Sequence, residues 1–247
     1  MQKINENSKI KAVVFDLDHT LFDRYETLKL VAHDLYTERR GWLSDDISEE
    51  YAAKIMIEAD ARHIIGGWTP VLNFWKENKI LKCNADGECI VGSKELFDFV
   101  WNYGFVNHAV SYPFANPMLD KLRSSGIKAG LLTNASGEKG IFRQKSKLKL
   151  LGMQDKFDSI LITGEVGVHK PCRTVFDIMK WRLGIPAENM MYVGDNPKND
   201  VYGSKTAGYI PVWVSLREEY GETADCIYSV KDVSEIPSLV DRINSGN

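Results

Sequence analysis

The stretch Ile10-Lys11-Ala12-Val13-Val14-Phe15-Asp16-Leu17-Asp18-His19-Thr20-Leu21 runs an apolar, β-branched segment straight into two carboxylates spaced i, i+2. A short apolar run of this kind reads as a strand buried on both faces of a parallel sheet. Side chains two apart on a strand share one side, so Asp16 and Asp18 converge at its carboxyl end, the edge where open α/β sheets hold ligands. Two like charges at that spacing are costly unless something neutralises them, and a hard divalent cation together with a phosphate-bearing substrate does so. Taken alone, the pair equally fits a strand followed by an acidic turn in which an Asp caps the next helix.

Three further segments repeat the pattern. Gly126-Ile127-Lys128-Ala129-Gly130-Leu131-Leu132-Thr133-Asn134 is a second apolar strand that ends in a hydroxyl and an amide. Ile160-Leu161-Ile162-Thr163 is a third, followed through a Gly-containing loop by Val168-His169-Lys170-Pro171, where Pro171 at a helix start would aim Lys170 across the strand ends. Met190-Met191-Tyr192-Val193-Gly194-Asp195-Asn196-Pro197-Lys198-Asn199-Asp200 is a fourth, and it delivers two more carboxylates. Asp200 by itself also fits a helix cap.

Asp-x-Asp-x-Thr, then strand-Thr-Asn, then Lys-Pro, then Gly-Asp-x-x-x-x-Asp, in that order, resembles the haloacid dehalogenase-like hydrolase superfamily, from about Ile10 to the last predicted helix. The Leu17-Asp18-His19-Thr20-Leu21-Phe22 wording is similar to the phosphatase branch with a small helical cap inserted after the first motif. The resemblance implies that Asp16 is the nucleophile, forming an aspartyl-phosphate that water hydrolyses, and that Asp18 is the general acid and later the base. It implies Mg2+, held by the Asp16 carboxylate, the Asp18 backbone carbonyl and Asp195, with Asp200 as ligand or supporting partner. It also implies that Thr133 and Lys170 hold the phosphoryl oxygens, with Asn134 beside them and Asn196 orienting a metal-bound water. His19 is read as shaping the loop, and His169 as facing either the cleft or solvent.

The 247 residues are 44% hydrophobic and 26% charged, with a net charge of -3. That suits a globular protein with a sizeable core and gives no general field for nucleic acid or acidic membrane, so phosphate recognition is local. Cys83, Cys89, Cys172 and Cys226 show no Cys-x-x-Cys spacing and read as reduced thiols. The polar stretch from Met1 to Lys9 lacks an apolar signal core, and no segment approaches a membrane span, so the reading is cytoplasmic with no membrane partner. Asn134-Ala135-Ser136 matches a glycosylation sequon but is discounted on that ground, and no phosphate-binding Gly-x-x-x-x-Gly-Lys-Ser/Thr loop occurs.

The second core strand comes more than a hundred residues after the first, and helical patterns fill the gap. Glu26–Arg40 carries apolar Leu28, Val31, Ala32, Leu35 and Tyr36 at helical spacing with Gly41 as its stop. Asp46–His63 follows, then a helix capped by Thr69 with Pro70 first and running through Trp75, and another over Ser93–Tyr103. Tyr112–Pro117 reads as a hinge into a helix over Pro117–Ser125. Tyr209–Val214 and Cys226–Val230 read as a fifth and a sixth strand, with Val233–Ile243 as the closing helix. The fold expected is α/β, a doubly wound parallel sheet of Rossmann-like form over residues 1–21 and 113–247, with an inserted α-helical cap over 22–112.

Substrate selection is assigned to the cap, where Arg62, His63, Trp68, Trp75 and Lys76 surround Gly66-Gly67 and would suit a sugar or nucleoside phosphate. Aromatic residues at helical spacing equally fit a cap core. Arg143-Gln144-Lys145-Ser146-Lys147-Leu148-Lys149 reads most simply as a solvated helix face. The function expected is Mg2+-dependent hydrolysis of a small phosphorylated metabolite. A phosphomutase using the same phosphoaspartate is the alternative, with a haloacid dehalogenase or a non-catalytic ligand-binding protein behind it. Oligomeric state is not legible.

Overall fold

A computed structural model describes residues 9–66, 68–215, 226 and 228–246, with the backbone alone over 61–66. The chain divides into two compact units, Met1–Asp23 with Ser111–Asn247, and Arg24–Val110.

The first unit is built on a parallel sheet of β1 (Ala12–Phe15), β2 (Lys128–Thr133), β3 (Ser159–Ile162), β4 (Met190–Gly194), β5 (Ile210–Val214) and β6 (Tyr228–Val230). Their order is β3-β2-β1-β4-β5-β6. All of β1 and β4, and β2 beyond Lys128, are buried, which is why these segments read as unbroken apolar runs rather than alternating ones. Successive strands step outward from β1 through β2 to β3 and, on the other side, from β4 to β6. The winding therefore reverses between β1 and β4, and a crevice opens beyond the carboxyl ends at such a reversal. Asp16 follows β1 there, and Asp195 follows β4.

The strand ends differ slightly from the sequence expectation. Thr163 opens a short 3-10 turn over Thr163–Glu165 instead of closing β3, and Cys226 lies ahead of a three-residue β6. The helix after Lys170 begins at Arg173, so Pro171 precedes it rather than starting it. That helix, Arg173–Leu183, buries Val175, Phe176, Met179 and Leu183 on one stripe and ends at left-handed Gly184 (φ 67°). The stripe packs with Ala12, Val14, Leu132, Leu161, Met190 and Tyr192 into one core cluster. It also approaches the sheet closely, because a Cβ on Gly130 would lie 3.1 Å from the Met179 sulfur. The closing helix, Ile236–Ser245, follows a 3-10 turn over Val233–Glu235.

The second unit holds helices Arg24–Glu38, Glu49–Gly66 and Trp68–Glu77, and a continuous helical run from Ser93 to Asn107 with a π-helical middle over Asp98–Gly104. Leu28, Val31, Ala32 and Leu35 are buried, as the periodicity predicts. The helix stops at Glu38, and Gly41 belongs to the 3-10 turn that follows. Thr69 and Pro70 sit inside the first turn of their helix, a place proline tolerates, rather than at its boundary. Gly104 lets two helices meet, since a Cβ there would come within 2.7 Å of the Val31 methyls. Among the described residues no helix is long and apolar enough to cross a membrane.

A buried ion pair ties the second unit together. Arg24 grips Asp60 with two parallel bonds, Nε to Oδ2 at 2.6 Å and a terminal amine to Oδ1 at 2.8 Å, and its guanidinium lies over the rings of Trp101 and Phe105 at 4.6 and 4.8 Å. Asp60→Ala removes both of these charged bonds from the buried guanidinium and is expected to cost about 3–5 kcal/mol, read as a lowered midpoint in urea unfolding. A midpoint equal to that of the parent protein would contradict this assignment.

Candidate active site

The first unit gathers its polar groups at the carboxyl ends of β1, β2 and β4. Asp16 continues the sheet ladder, its backbone amide donating to Val193 O at 2.9 Å. The loop then turns tightly, with the Leu17 carbonyl accepting from the amides of Thr20, Leu21 and Phe22. His19 is buried at φ 58° with its backbone amide donating to Phe22 O, so it shapes this loop.

Lys170 reaches in from the loop after β3. Its ammonium donates to Asp16 Oδ1 (2.7 Å), Asp200 Oδ1 (2.8 Å) and the Tyr192 hydroxyl (2.9 Å), and the Tyr192 hydroxyl donates onward to Leu132 O (3.0 Å). What aims Lys170 is not a helix-starting proline but Asn134, which accepts from the Lys170 amide at 2.9 Å and donates to the Lys170 carbonyl at 3.2 Å. The neighbouring His169 is exposed to solvent, with its Nδ1 bonded to Thr163 Oγ1 (2.7 Å) and its Nε2 3.4 Å from Ser136 Oγ.

Asp16, Asp195 and Asp200 are all buried and present oxygens within 4.8 Å of one another. Gly194 makes this possible, because a Cβ there would fall 2.4 Å from the Asp200 carboxylate. Burial pushes Asp16 up to about 8, helped by the charges of Asp200 and Asp195 and opposed by Lys170. Asp200 is raised for the same reasons, burial first. Burial works against the Lys170 ammonium, but Asp16 and Asp200 outweigh it and hold the group above its ordinary value, so it stays cationic. Burial and Asp200 likewise keep Tyr192 a neutral phenol.

If all three carboxylates ionised, two negative charges would be left over beside the one ammonium in a buried site, and the donors the carboxylates offer are oxygens. Both properties fit a hard divalent cation such as Mg2+. Asp200 has both oxygens engaged, Oδ1 by Lys170 and Oδ2 by the Asn196 amide at 3.0 Å, which suits it to bracing the other ligands. It is not the helix cap. Asn196 takes that position, its side-chain oxygen accepting from the amides of Lys198 and Asn199.

Asp18 stands in a separate network. Lys147 donates to its Oδ1 at 2.6 Å and Gln144 Nε2 to its Oδ2 at 2.9 Å. The same Gln144 nitrogen lies 3.1 Å from Thr133 Oγ1 and 3.3 Å from Asn134 O, so Asn134 touches both networks. Gln144 and Lys147 are buried, which corrects the reading of residues 143–149 as a solvated face. On the helix Gly137–Leu150, positions 140, 144, 147 and 148 share one side, and all four are buried. A Gln and a Lys on the stripe that carries Gly140 and Leu148 were the available signal. The Gln144 carbonyl is buried with no donor among the described residues, a situation that costs about 1–3 kcal/mol where nothing compensates it.

In the second unit, Trp68 is half-buried and meets Trp75 and Phe97 edge to face at 5.7 and 5.4 Å, and its indole nitrogen donates to Ser93 Oγ at 3.0 Å. Trp75 is fully buried and Lys76 exposed. The side chains of Arg62 and His63 lie outside the described residues.

Residues 13–214 match the family model described as haloacid dehalogenase-like hydrolase. The glyceraldehyde 3-phosphate phosphatase of Methanocaldococcus jannaschii is 26% identical over 96% of this chain and 98% of its own length. The N-acylneuraminate-9-phosphatase of Mus musculus is 26% identical over 96% of each. Among solved structures, the putative hydrolase YfnB of Bacillus subtilis, bound to magnesium, superposes with a TM-score of 0.68 at 19% identity over 94% of this chain and 99% of its own, a likeness of fold.

Two outcomes follow from the packing and charge of the site. Gly194→Ala forces the Asp200 carboxylate aside and is expected to destabilise the protein by about 1–3 kcal/mol in urea unfolding. Because Asp16 holds its proton up to about 8 when folded but only to 3.8 ordinarily, the folded state binds the extra proton between those values. Without added cation, stability therefore falls as pH rises through that window. Asp16→Asn removes that fall, so its melting temperature is expected to exceed the parent's at pH 8 and not at pH 4; the reverse order would contradict the assignment.

Proposed function

The chain belongs to the haloacid dehalogenase-like hydrolases, and we propose that it is a Mg2+-dependent phosphatase acting on a small phosphomonoester through an aspartyl-phosphate on Asp16. The observation that carries this is the Asp16 carboxylate, buried at a strand end against the Lys170 ammonium with Asp195 and Asp200 beside it. A phosphate dianion repels a carboxylate, so the two meet only where fixed positive charge offsets the repulsion. Lys170 supplies one such charge, and Thr133 offers a hydroxyl to a phosphoryl oxygen. The Asn134 backbone is assigned to the same cradle.

In the proposed reaction an Asp16 oxygen forms a bond to phosphorus as the ester P–O bond breaks, and Asp18 gives its proton to the departing alkoxide. Water then attacks the aspartyl-phosphate, Asp18 takes its proton, and inorganic phosphate leaves with Asp16 restored. When bound, Mg2+ held by Asp16, the Asp18 backbone carbonyl and Asp195, with Asp200 as a further ligand or brace, supplies positive charge against the phosphoryl oxygens.

The unit Arg24–Val110 is assigned the role of a cap that selects substrate, with Arg62 and the half-exposed edge of Trp68 as its contacts. Both named relatives are, by name, phosphatases of small phosphorylated metabolites, which supports a sugar phosphate as the substrate class, with a nucleotide as the other member of the proposed class. A cytoplasmic setting is part of the same reading.

Asp16→Asn is expected to abolish phosphate release from a panel of sugar phosphates and nucleotides, and Lys170→Met to lower kcat about 10²–10³-fold, the scale of losing one charge-stabilising donor. Chelator should stop turnover and Mg2+ restore it. Calorimetry in buffers of different ionisation enthalpy should show proton release on Mg2+ binding below pH 8, because the cation displaces the proton held by Asp16. Full turnover by Asp16→Asn would sink the proposal, and an isomerised sugar phosphate in place of inorganic phosphate would assign a mutase.

A further inference from the structure

Nothing in the proposed reaction uses Lys147 or Gln144, yet both are buried and both aim at Asp18. We propose that they are positioning residues that fix the Asp18 carboxylate next to the phosphoryl-binding hydroxyl of Thr133, an assignment that rests on the phosphatase reading above.

The geometry is specific in three ways. The two donors take different oxygens, Lys147 the Oδ1 and Gln144 the Oδ2, and a carboxylate held at both oxygens has its plane fixed as well as its direction. This matters because Asp18 lies on a loop with 23% of its side chain exposed, where an unrestrained carboxylate would turn toward water. The Gln144 nitrogen that holds Asp18 also holds Thr133 at 3.1 Å, so one amide sets the separation between the proton-transfer group and the hydroxyl assigned to the phosphoryl oxygens. The leaving oxygen is bonded to that same phosphorus, so the acid is kept within reach of it. Finally, the anchor is rigid: Gln144 and Lys147 are one turn apart on the helix Gly137–Leu150, and the Lys147 ammonium lies 4.5 Å from the centre of the Phe22 ring.

A purely structural ion pair, or a lysine that binds substrate phosphate, would act alike on every phosphoester. A residue that aims the proton donor acts only where the leaving group needs a proton. An alkoxide does, while 4-nitrophenolate is stable enough to depart without one, and kcat/KM reports the first phosphoryl transfer for both. The test therefore compares Lys147→Met and Gln144→Met with the parent on two esters, the fastest primary alkyl phosphate of a sugar-phosphate panel and 4-nitrophenyl phosphate.

Lys147→Met is expected to lower kcat/KM for the alkyl ester about 10²-fold, the lower range for proton transfer, through kcat rather than KM. The kcat/KM for the aryl ester should be nearly unaffected, and Gln144→Met should show the same contrast in smaller degree. In an Asp18→Asn background, Lys147→Met should bring no further loss on the alkyl ester. An equal loss of kcat/KM on both esters, a rise in KM alone, or full additivity with Asp18→Asn overturns the assignment while leaving the phosphatase reading intact. If Lys147→Met does not fold, Gln144→Met carries the same comparison. A parent protein that turns over neither ester overturns the phosphatase reading and this assignment together.

Discussion

One ammonium group organises the carboxyl end of this sheet. Lys170 is buried between two carboxylates distant in sequence, Asp16 just past β1 and Asp200 in the helical turn Pro197–Tyr202, and it is the ammonium that offsets their mutual repulsion in a dry crevice. Burying a lysine is itself unfavourable, and the arrangement persists because every hydrogen on Lys170 Nζ has an acceptor, two carboxylates and a phenol. The carboxylates outnumber the ammonium, so the site stays electron-rich and takes up a proton or a cation to balance.

That constraint reaches back into the backbone. Lys170 cannot be delivered by its own loop alone, so Asn134 at the end of β2 clamps its amide and carbonyl, and Tyr192 within β4 supports its ammonium from below through Leu132. Asp200 fits only because residue 194 has no side chain. The strand order sets the stage for all of this, since it places the ends of β2, β1 and β4 side by side although their residues are spread along most of the chain. The helix Arg173–Leu183 and the apolar layer beneath it keep those ends in register.

Much of this was legible because strands buried on both faces announce themselves as apolar runs, and the polar residue that ends such a run has few places to go. Asp16, Thr133 and Asp195 followed from that logic. Lys147 and Gln144 did not, because a stretch with Arg143, Lys145, Lys147 and Lys149 has the composition of a solvated face, and composition hides orientation. Only the helical phase separates Lys147, buried, from Lys145, exposed. Helix ends were also less legible than helices: Gly41 and Pro70 carry breaker chemistry, yet one lies past the stop and the other inside the first turn.

Two aspartates two residues apart can divide one reaction between them only if their surroundings differ, and here each has its own lysine. Asp16 is enclosed, with 11% of its side chain exposed, and shares Lys170 with a second carboxylate in a site rich in negative charge. Asp18, at 23%, has Lys147 together with an amide donor and stands nearer to solvent. A nucleophile benefits from the first setting, where its lone pairs are held in a fixed direction and water is kept off; a group that must exchange protons with solvent between turnovers benefits from the second. The i, i+2 spacing puts both just past the end of β1, and although their two lysines are buried alike, at 3% and 5% of the side chain exposed, the aspartates themselves are not, which is the difference the proposed division of roles requires.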